Sequence, residues 1–212
     1  MPIVWFCNQK GGCGKTSAAV HFASWLHQKR KKVHFVDADA QGSGAIWMSV
    51  LGSKIPTSRI VDANELIEKL PELASKFNYV VVDGAPNTTE TTRAILCLSD
   101  VSITPIQPTG LDLHSASEAI RLIKSAQKIS GGLLPKPAVF LSRAAKGTRL
   151  KNEALSLLSQ IPDVKLLKTV IHNKQAVADC FTQDTTIWGI KGADDSAQEF
   201  EQLCKEIFGL MK

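Results

Sequence analysis

Gln9-Lys10-Gly11-Gly12-Cys13-Gly14-Lys15-Thr16 is the stretch that decides the fold. The apolar run before it, Ile3-Val4-Trp5-Phe6-Cys7, reads as a buried strand. After it, Ala19, Phe22, Ala23 and Leu26 fall at i, i+3, i+4 and i+7, the spacing of a helix with one inward face. Strand, glycine loop and helix in that order are the setting a phosphate-binding loop requires. Glycines let successive backbone N–H groups converge on one anion, and the helix N-terminus adds partial positive charge. Gly11, Gly12, Cys13, Gly14, Lys15, Thr16 and Ser17 are the candidate nucleotide contacts, with Lys15 directed at the phosphates and the Thr16 hydroxyl at Mg²⁺. The usual spacing, G-x-x-x-x-G-K-[ST], puts a glycine where this chain has Gln9, and a lysine follows it. Lys10, at the mouth of the loop, is poorly placed to fold back on its own nucleotide. It is within reach of one held by a facing subunit.

Outward from the loop, strands alternate with helices, which predicts a doubly wound, mostly parallel α/β sheet with helices on both faces. Lys32 to Asp37 and Asn78 to Asp83 read as strands that end in acids. Residues 63–77 read as a helix interrupted at Pro71, and Thr88 to Leu98 as another. A strand over Val101 to Ile106 precedes a helix from Asp112 to Ser130, stopped by Gly131-Gly132. Ala138 to Leu141 is a strand, 149–160 a helix, Val164 to Leu167 a short edge strand, and a last helix starts near Asp195. With no repeat or linker, residues 1–212 are expected to form a single domain.

Phosphoryl transfer needs a carboxylate at the end of a neighbouring strand to hold the Mg²⁺ shell. Asp83, after Tyr79-Val80-Val81-Val82, fits that role. The segment Asp37-Ala38-Asp39-Ala40-Gln41-Gly42 places two more acids at a strand's carboxyl end, where open α/β sheets bind ligands. Asp39 is the candidate for activating water. Asp37, still inside the strand, serves either Mg²⁺ or the loop geometry.

At 212 residues, 44% hydrophobic and 21% charged, the composition is that of a soluble globular protein. No apolar run reaches the length of a membrane span. The N-terminus opens into a strand with no basic leader, so a cytoplasmic location is expected. Five cysteines, scattered and without a C-x-x-C pair, argue against disulfides and zinc. The net charge of +5 is regional. Between Arg143 and Lys174 stand Arg143, Lys146, Arg149, Lys151, Lys165, Lys168 and Lys174 against Glu153 and Asp163. Lys146, Arg149, Lys151, Lys168 and Lys174 are the candidate contacts to a polyanion.

Lys10 to Thr16, Asp37 to Gly42 and Asp83-Gly84-Ala85-Pro86 together resemble the deviant Walker A ATPases of the ParA/MinD type, nearest to the short ParA-like group that includes ParF-like plasmid partition and McdA-like carboxysome-spacing ATPases. The resemblance implies a P-loop NTPase fold, ATP and Mg²⁺ as ligands, and catalysis through Lys10, Lys15 and Asp39. It makes Lys10 the signature lysine that contacts nucleotide across an ATP-sandwich homodimer. It implies nonspecific DNA binding on the nucleoid, and a cargo-bound adaptor or centromere-binding protein that stimulates hydrolysis. Family position alone suggests Pro108 and His172-Asn173 near the adenine. Two departures stand out: Ala40 replaces a common proline, which is expected to loosen the turn after Asp39, and Asp83 is followed by G-A-P rather than x-P-P. The last helix mixes Glu199, Glu201 and Glu206 with Lys205 and Lys212, so direct membrane binding is not expected. The rival readings are a small-molecule synthetase or a cluster-bearing reductase on the same fold, the latter short of a companion for Cys97, and a scaffold that binds ATP without hydrolysing it.

Overall fold

The apolar run after Pro2 becomes β1 (Ile3–Phe6), buried along its length because it lies at the centre of a seven-stranded sheet. The computed structural model describes residues 1–84, 90–130, 132 and 134–212. The other strands are β2 (Val33–Asp37), β3 (Thr57–Arg59), β4 (Tyr79–Asp83), β5 (Val101–Ile106), β6 (Lys136–Ala144) and β7 (Lys165–His172). Their spatial order is β3-β2-β4-β1-β5-β6-β7, and every neighbouring pair is parallel. Parallel pairing needs crossovers, which the helices supply. They are α1 (Lys15–Gln28), α2 (Ser43–Val50), α3 (Ala63–Lys76), α4 (Glu90–Leu98), α5 (Gly110–Ser130), α6 (Arg149–Ser159), α7 (Gln175–Thr182) and α8 (Asp194–Gly209).

The two-residue period of the strands divides the core between the sheet faces. Val4, Phe6, Phe35, Val81 and Phe140 pack with α1, α2, α7 and α8, whereas Ile3, Trp5, Val36, Val80 and Val82 pack with α3, α4 and α5. Because β1 pairs with β4 on one side and β5 on the other, the chain's course reverses at β1. A ligand crevice opens at the carboxyl end of such a strand. The glycine loop sits there.

Among the described residues, three strands or α-helices had no counterpart in the sequence reading, α2, β3 and α7, nor had the short 3-10 helix at Ile187–Gly189. In α2, Trp47 and Met48 are buried while Ile46 and Val50 are exposed, so apolar residues surround the helix and leave no periodic signal. β3 is three residues long and largely exposed. β7 is an edge strand as expected but runs eight residues, well beyond Leu167, held by irregular pairing with β6 and by Glu206 of α8, which accepts the Lys168 N–H at 2.7 Å and the Thr169 N–H at 2.9 Å. Pro71 does not interrupt α3: buried Leu66 and Leu70 hold the helix against the sheet, and the Asp62 side chain caps its start by accepting the Glu65 N–H at 2.9 Å. Of the remaining expectations, Thr88, Gly131, Ala85 and Pro86 lie outside the described residues.

His21 joins α1 to the far layers of its face. Its ring is fully buried and stacks on Phe200 of α8 with centroids 4.1 Å apart. Nε2 accepts the Ile187 N–H at 3.0 Å, which places the proton on Nδ1, 2.7 Å from the Ser17 carbonyl it donates to. Burial pushes this histidine down to about 4, so it stays neutral at physiological pH.

Candidate nucleotide-binding site

The loop between β1 and α1 is built to expose amides. Gly12 and Gly14 take left-handed φ angles of 74° and 96°, and a Cβ on Gly14 would meet the Ser142 Oγ at 2.7 Å. Gly14 is the N-cap of α1 and supplies no side-chain cap, so the first amides of that helix are left for an external anion. Lys15 is buried and donates from Nζ to the Lys10 carbonyl at 2.9 Å. The Lys10 N–H is bound in turn by Asn8 Oδ1 at 3.0 Å, and Asn8 Nδ2 donates to the Pro105 carbonyl at 2.8 Å. The backbone of Lys10 is therefore pinned on both sides, beside exposed Gly11 and Gly12. Cys13 is buried and points its thiol at the Lys10 carbonyl, 3.3 Å away, a space-filling role.

The acids converge on the same crevice by strand register. Asp37 and Asp83 are directly paired across β2 and β4, and Asp83 faces Phe6 of β1. Asp83 is buried, and among the described residues neither of its carboxylate oxygens has a hydrogen-bond partner. Burial raises its pKa to about 7, opposed by neighbouring Thr16 and Lys15 and reinforced by Asp37 and Asp39; Thr16 meets neither oxygen in hydrogen-bonding geometry. The Ser17 Oγ, at the start of α1, is also buried and has no partner among the described residues. Buried groups left unsatisfied in this way suit a site completed by a cation and an anion. Asp37 differs: Oδ1 accepts the Asp39 N–H at 2.9 Å and Oδ2 the Ala45 N–H at 2.7 Å, so one oxygen holds the turn after β2 and the other the first turn of α2. Desolvation still raises its pKa.

Asp39 is half-exposed and uses Oδ1 to accept the Gln41 N–H at 2.9 Å. The turn that follows is not loosened by Ala40. Its carbonyl accepts a short bond from the Arg59 guanidinium, and the Gly42 N–H returns to the Asp39 carbonyl at 3.0 Å.

Beside the loop lies a cavity of about 240 Å³, bounded by Gly14 and Ser17, by Trp47 and Phe181, and by His172 and Asn173. Glu199 positions the last pair, accepting the His172 backbone N–H at 3.0 Å and lying 2.9 Å from its Nδ1. Pro108 stands past the end of β5 and does not line this cavity. The five candidate polyanion contacts divide. Lys174 is only 24% exposed and lies 3.3 Å from Asp195 and 3.6 Å from Glu199, and Lys146, 65% exposed, shares Asp195 at 3.6 Å. These two lysines hold the Asp195 carboxyl below its usual range. Arg149, 90% exposed, and Lys151 open α6, which Thr148 caps; Arg149 pairs with Glu153 at 2.6 Å within the helix. Lys168 is exposed on β7, apart from that helix start.

Two of the perturbed buried groups, His21 and Asp83, act oppositely on stability. Between pH 4 and 6.5 the unfolded chain binds a proton at His21 that the folded chain refuses, so His21 makes stability fall as pH falls. Asp83, protonated more readily when folded, makes stability rise as pH falls from about 7. In Mg²⁺-free buffer, wild type is expected to lose about 3 kcal/mol relative to His21→Phe between pH 7 and 4, read from urea midpoints. A pH-independent difference would contradict the assignment of a neutral buried His21.

Residues 4–187 match the CbiA family, described as the CobQ/CobB/MinD/ParA nucleotide binding domain. The maintenance of carboxysome distribution protein A of Halothiobacillus neapolitanus is 26% identical over 207 residues, covering 94% of this chain and 93% of that protein. An ATP complex of a McdA variant from Cyanothece superposes with a TM-score of 0.80 at 18% identity, over 99% of this chain and 96% of that one. MinD of Pyrococcus horikoshii OT3 with Mg-ADP gives 0.73 at 18% identity, over 97% and 95% of the two chains. Among the described residues, no helix is long and apolar enough to cross a membrane. The chain belongs to the CobQ/CobB/MinD/ParA nucleotide binding domain family, and its parallel sheet with flanking helices has the P-loop NTPase-like fold.

Proposed function

We propose that this protein is a Mg²⁺-dependent ATPase that dimerises around ATP, binds DNA without sequence preference as the dimer, and so positions a cargo on the nucleoid. The observation that carries this reading is the placement of two lysines on one phosphate loop. Lys15 is folded inside it, and Lys10 stands at its mouth with its backbone fixed by Asn8 and by Lys15. Lys15 and the uncapped amides of α1 bind the phosphates of the protomer's own nucleotide. Lys10 completes the facing protomer's site, so the dimer depends on the third phosphate. Thr16 and the unpartnered carboxylate of Asp83 hold Mg²⁺, with Asp37 buttressing the loop. The bound ion neutralises charge on the phosphates. Asp39, with Oδ1 engaged by Gln41, orients water and takes its proton through the remaining oxygen. The cavity beside Ser17 and Asn173 accommodates the base.

The DNA surface is the start of α6. Arg149 and Lys151 add two cations to a helix N-terminus, and Lys146 needs only to exchange a solvent-exposed pairing with Asp195, which is worth little. Lys174, held by two acids, serves the fold of the β7–α7 corner instead. Reversing charge with Arg149→Glu and Lys151→Glu is expected to weaken binding of random-sequence duplex by at least about tenfold and to reduce the salt slope of the dimer by about 4, two contacts from each protomer. Dimerisation with ATP should be unchanged. Unaltered DNA affinity in an electrophoretic shift would place the surface elsewhere.

For the cargo, a plasmid moved through a centromere-binding protein and a protein compartment moved through an adaptor are both compatible with this switch. The likeness to a carboxysome distribution protein over 94% of this chain favours the compartment. Pull-down of a partner that accelerates hydrolysis distinguishes the two, by whether that partner binds DNA sites or a compartment shell.

A further inference from the structure

We propose that Arg143 is a positioning residue for the phosphate loop, acting with Gln107 as a clamp on the Gly12 carbonyl; the inference rests on the loop binding nucleotide as described above. Arg143 Nη1 donates to that carbonyl at 2.8 Å, and Gln107 Nε2 donates to it at 3.0 Å. The donors come from opposite sides of a strand boundary, Gln107 just past the end of β5 and Arg143 near the end of β6. Two strands beyond β1 thus grip one atom of the loop.

A peptide unit is planar, so fixing the Gly12 oxygen also fixes the Cys13 N–H on the opposite edge of the same plane. Gly12 itself has φ 74°, a conformation that relies on its neighbours to be held in one state. Arg143 is strained too, with φ 54°, a left-handed value uncommon for a residue with a side chain. Such strain persists where surrounding contacts over-determine it, and it concentrates at functional sites. Here the over-determining contact is the charge-assisted bond to Gly12. The exposed guanidinium therefore has a task that its membership of the basic segment does not suggest. It serves the loop, while Arg149 and Lys151 face outward.

The test is nucleotide affinity, measured with a fluorescent ATP analogue and with ADP, for Arg143→Gly, Gln107→Ala and the double variant. Glycine accepts the left-handed φ, so that change removes the clamp without adding backbone strain. Each single variant is expected to bind nucleotide several-fold to about tenfold more weakly, the scale of one hydrogen bond. The double variant should lose more than the product of the two, because either donor alone still holds the carbonyl. The losses should persist in about 0.5 M salt, where a long-range charge effect of Arg143 would be screened. KM for ATP should rise while kcat at saturation stays near wild type, and thermal melting without nucleotide should be unchanged.

Strictly multiplicative losses, losses that vanish in high salt, or wild-type affinity in Arg143→Gly would each overturn the clamp. If Arg143→Gly fails to fold, Arg143→Asn, which tolerates the left-handed φ and is too short to reach Gly12, supplies the same cycle with and without Gln107→Ala. A wild-type protein that binds neither ATP nor ADP would instead overturn the functional reading, and the clamp with it.

Discussion

Lys10→Ala is expected to bind ATP but remain a monomer. Gripping the protomer's own phosphates is the task proposed for Lys15 and the α1 amides, so nucleotide affinity should change by no more than a few-fold. The dimer loses two identical contacts, one from each protomer. Truncating one partner of a desolvated, charge-assisted bond costs about 2–3 kcal/mol or more. Two such losses weaken the dimer by on the order of 10³–10⁴-fold. Light scattering on Mg-ATP-loaded protein reads the result directly. A Lys10→Ala protein that dimerises like wild type would confine Lys10 to its own subunit.

Asp39→Ala should do the reverse, trapping the ATP-bound dimer. Asp39 is held at the mouth of the crevice by the Gln41 N–H and by the Arg59-clamped turn, yet both Asp37 oxygens are already committed to backbone amides. Asp39, with one oxygen uncommitted to a backbone amide, is therefore the acid of that segment proposed to accept a proton from water. Loss of a positioned general base costs roughly 10²–10⁴ in rate. Single-turnover hydrolysis should fall by that factor while ATP affinity holds, and DNA retention should lengthen in proportion. Hydrolysis at the wild-type rate would remove Asp39 from the chemistry and leave the base to be found elsewhere.

The sheet and the loop were legible because both are local. A strand, three glycines and an apolar helix write their pattern within thirty residues, although α1 is buried all round from Ala18 to Leu26 rather than on the one face its spacing suggested, and Asp83 announces itself by ending an apolar run. What escaped reading depends on long-range contacts. Asn8 braces Lys10 through Pro105, Gln107 reaches back 95 residues to Gly12, and Arg143 reaches back 131. No spacing rule connects such positions; the shared sequence signal is a polar residue within two positions of the end of an apolar strand, Asn8 and Gln107 just past β1 and β5 and Arg143 next to last in β6. Of the two roles offered for Asp37, its burial and its two amide partners, neither of which the sequence displays, support the one in loop geometry. The turn after Asp39 is firmer than Ala40 suggested because Arg59, brought alongside by the β2–β3 pairing, supplies the restraint. The edge strand β7 was underestimated because its outer amides are satisfied by Glu206, a residue almost forty positions later.

Everything functional proposed for this protein turns on one nucleotide-dependent assembly. The direct measurement is the solution mass of Asp39→Ala protein by sedimentation at micromolar concentration, with Mg-ATP, with Mg-ADP and without nucleotide. The expected result is twice the 23.0 kDa chain mass with Mg-ATP and the single-chain mass in the other two states. A particle of single-chain mass in all three would contradict the account.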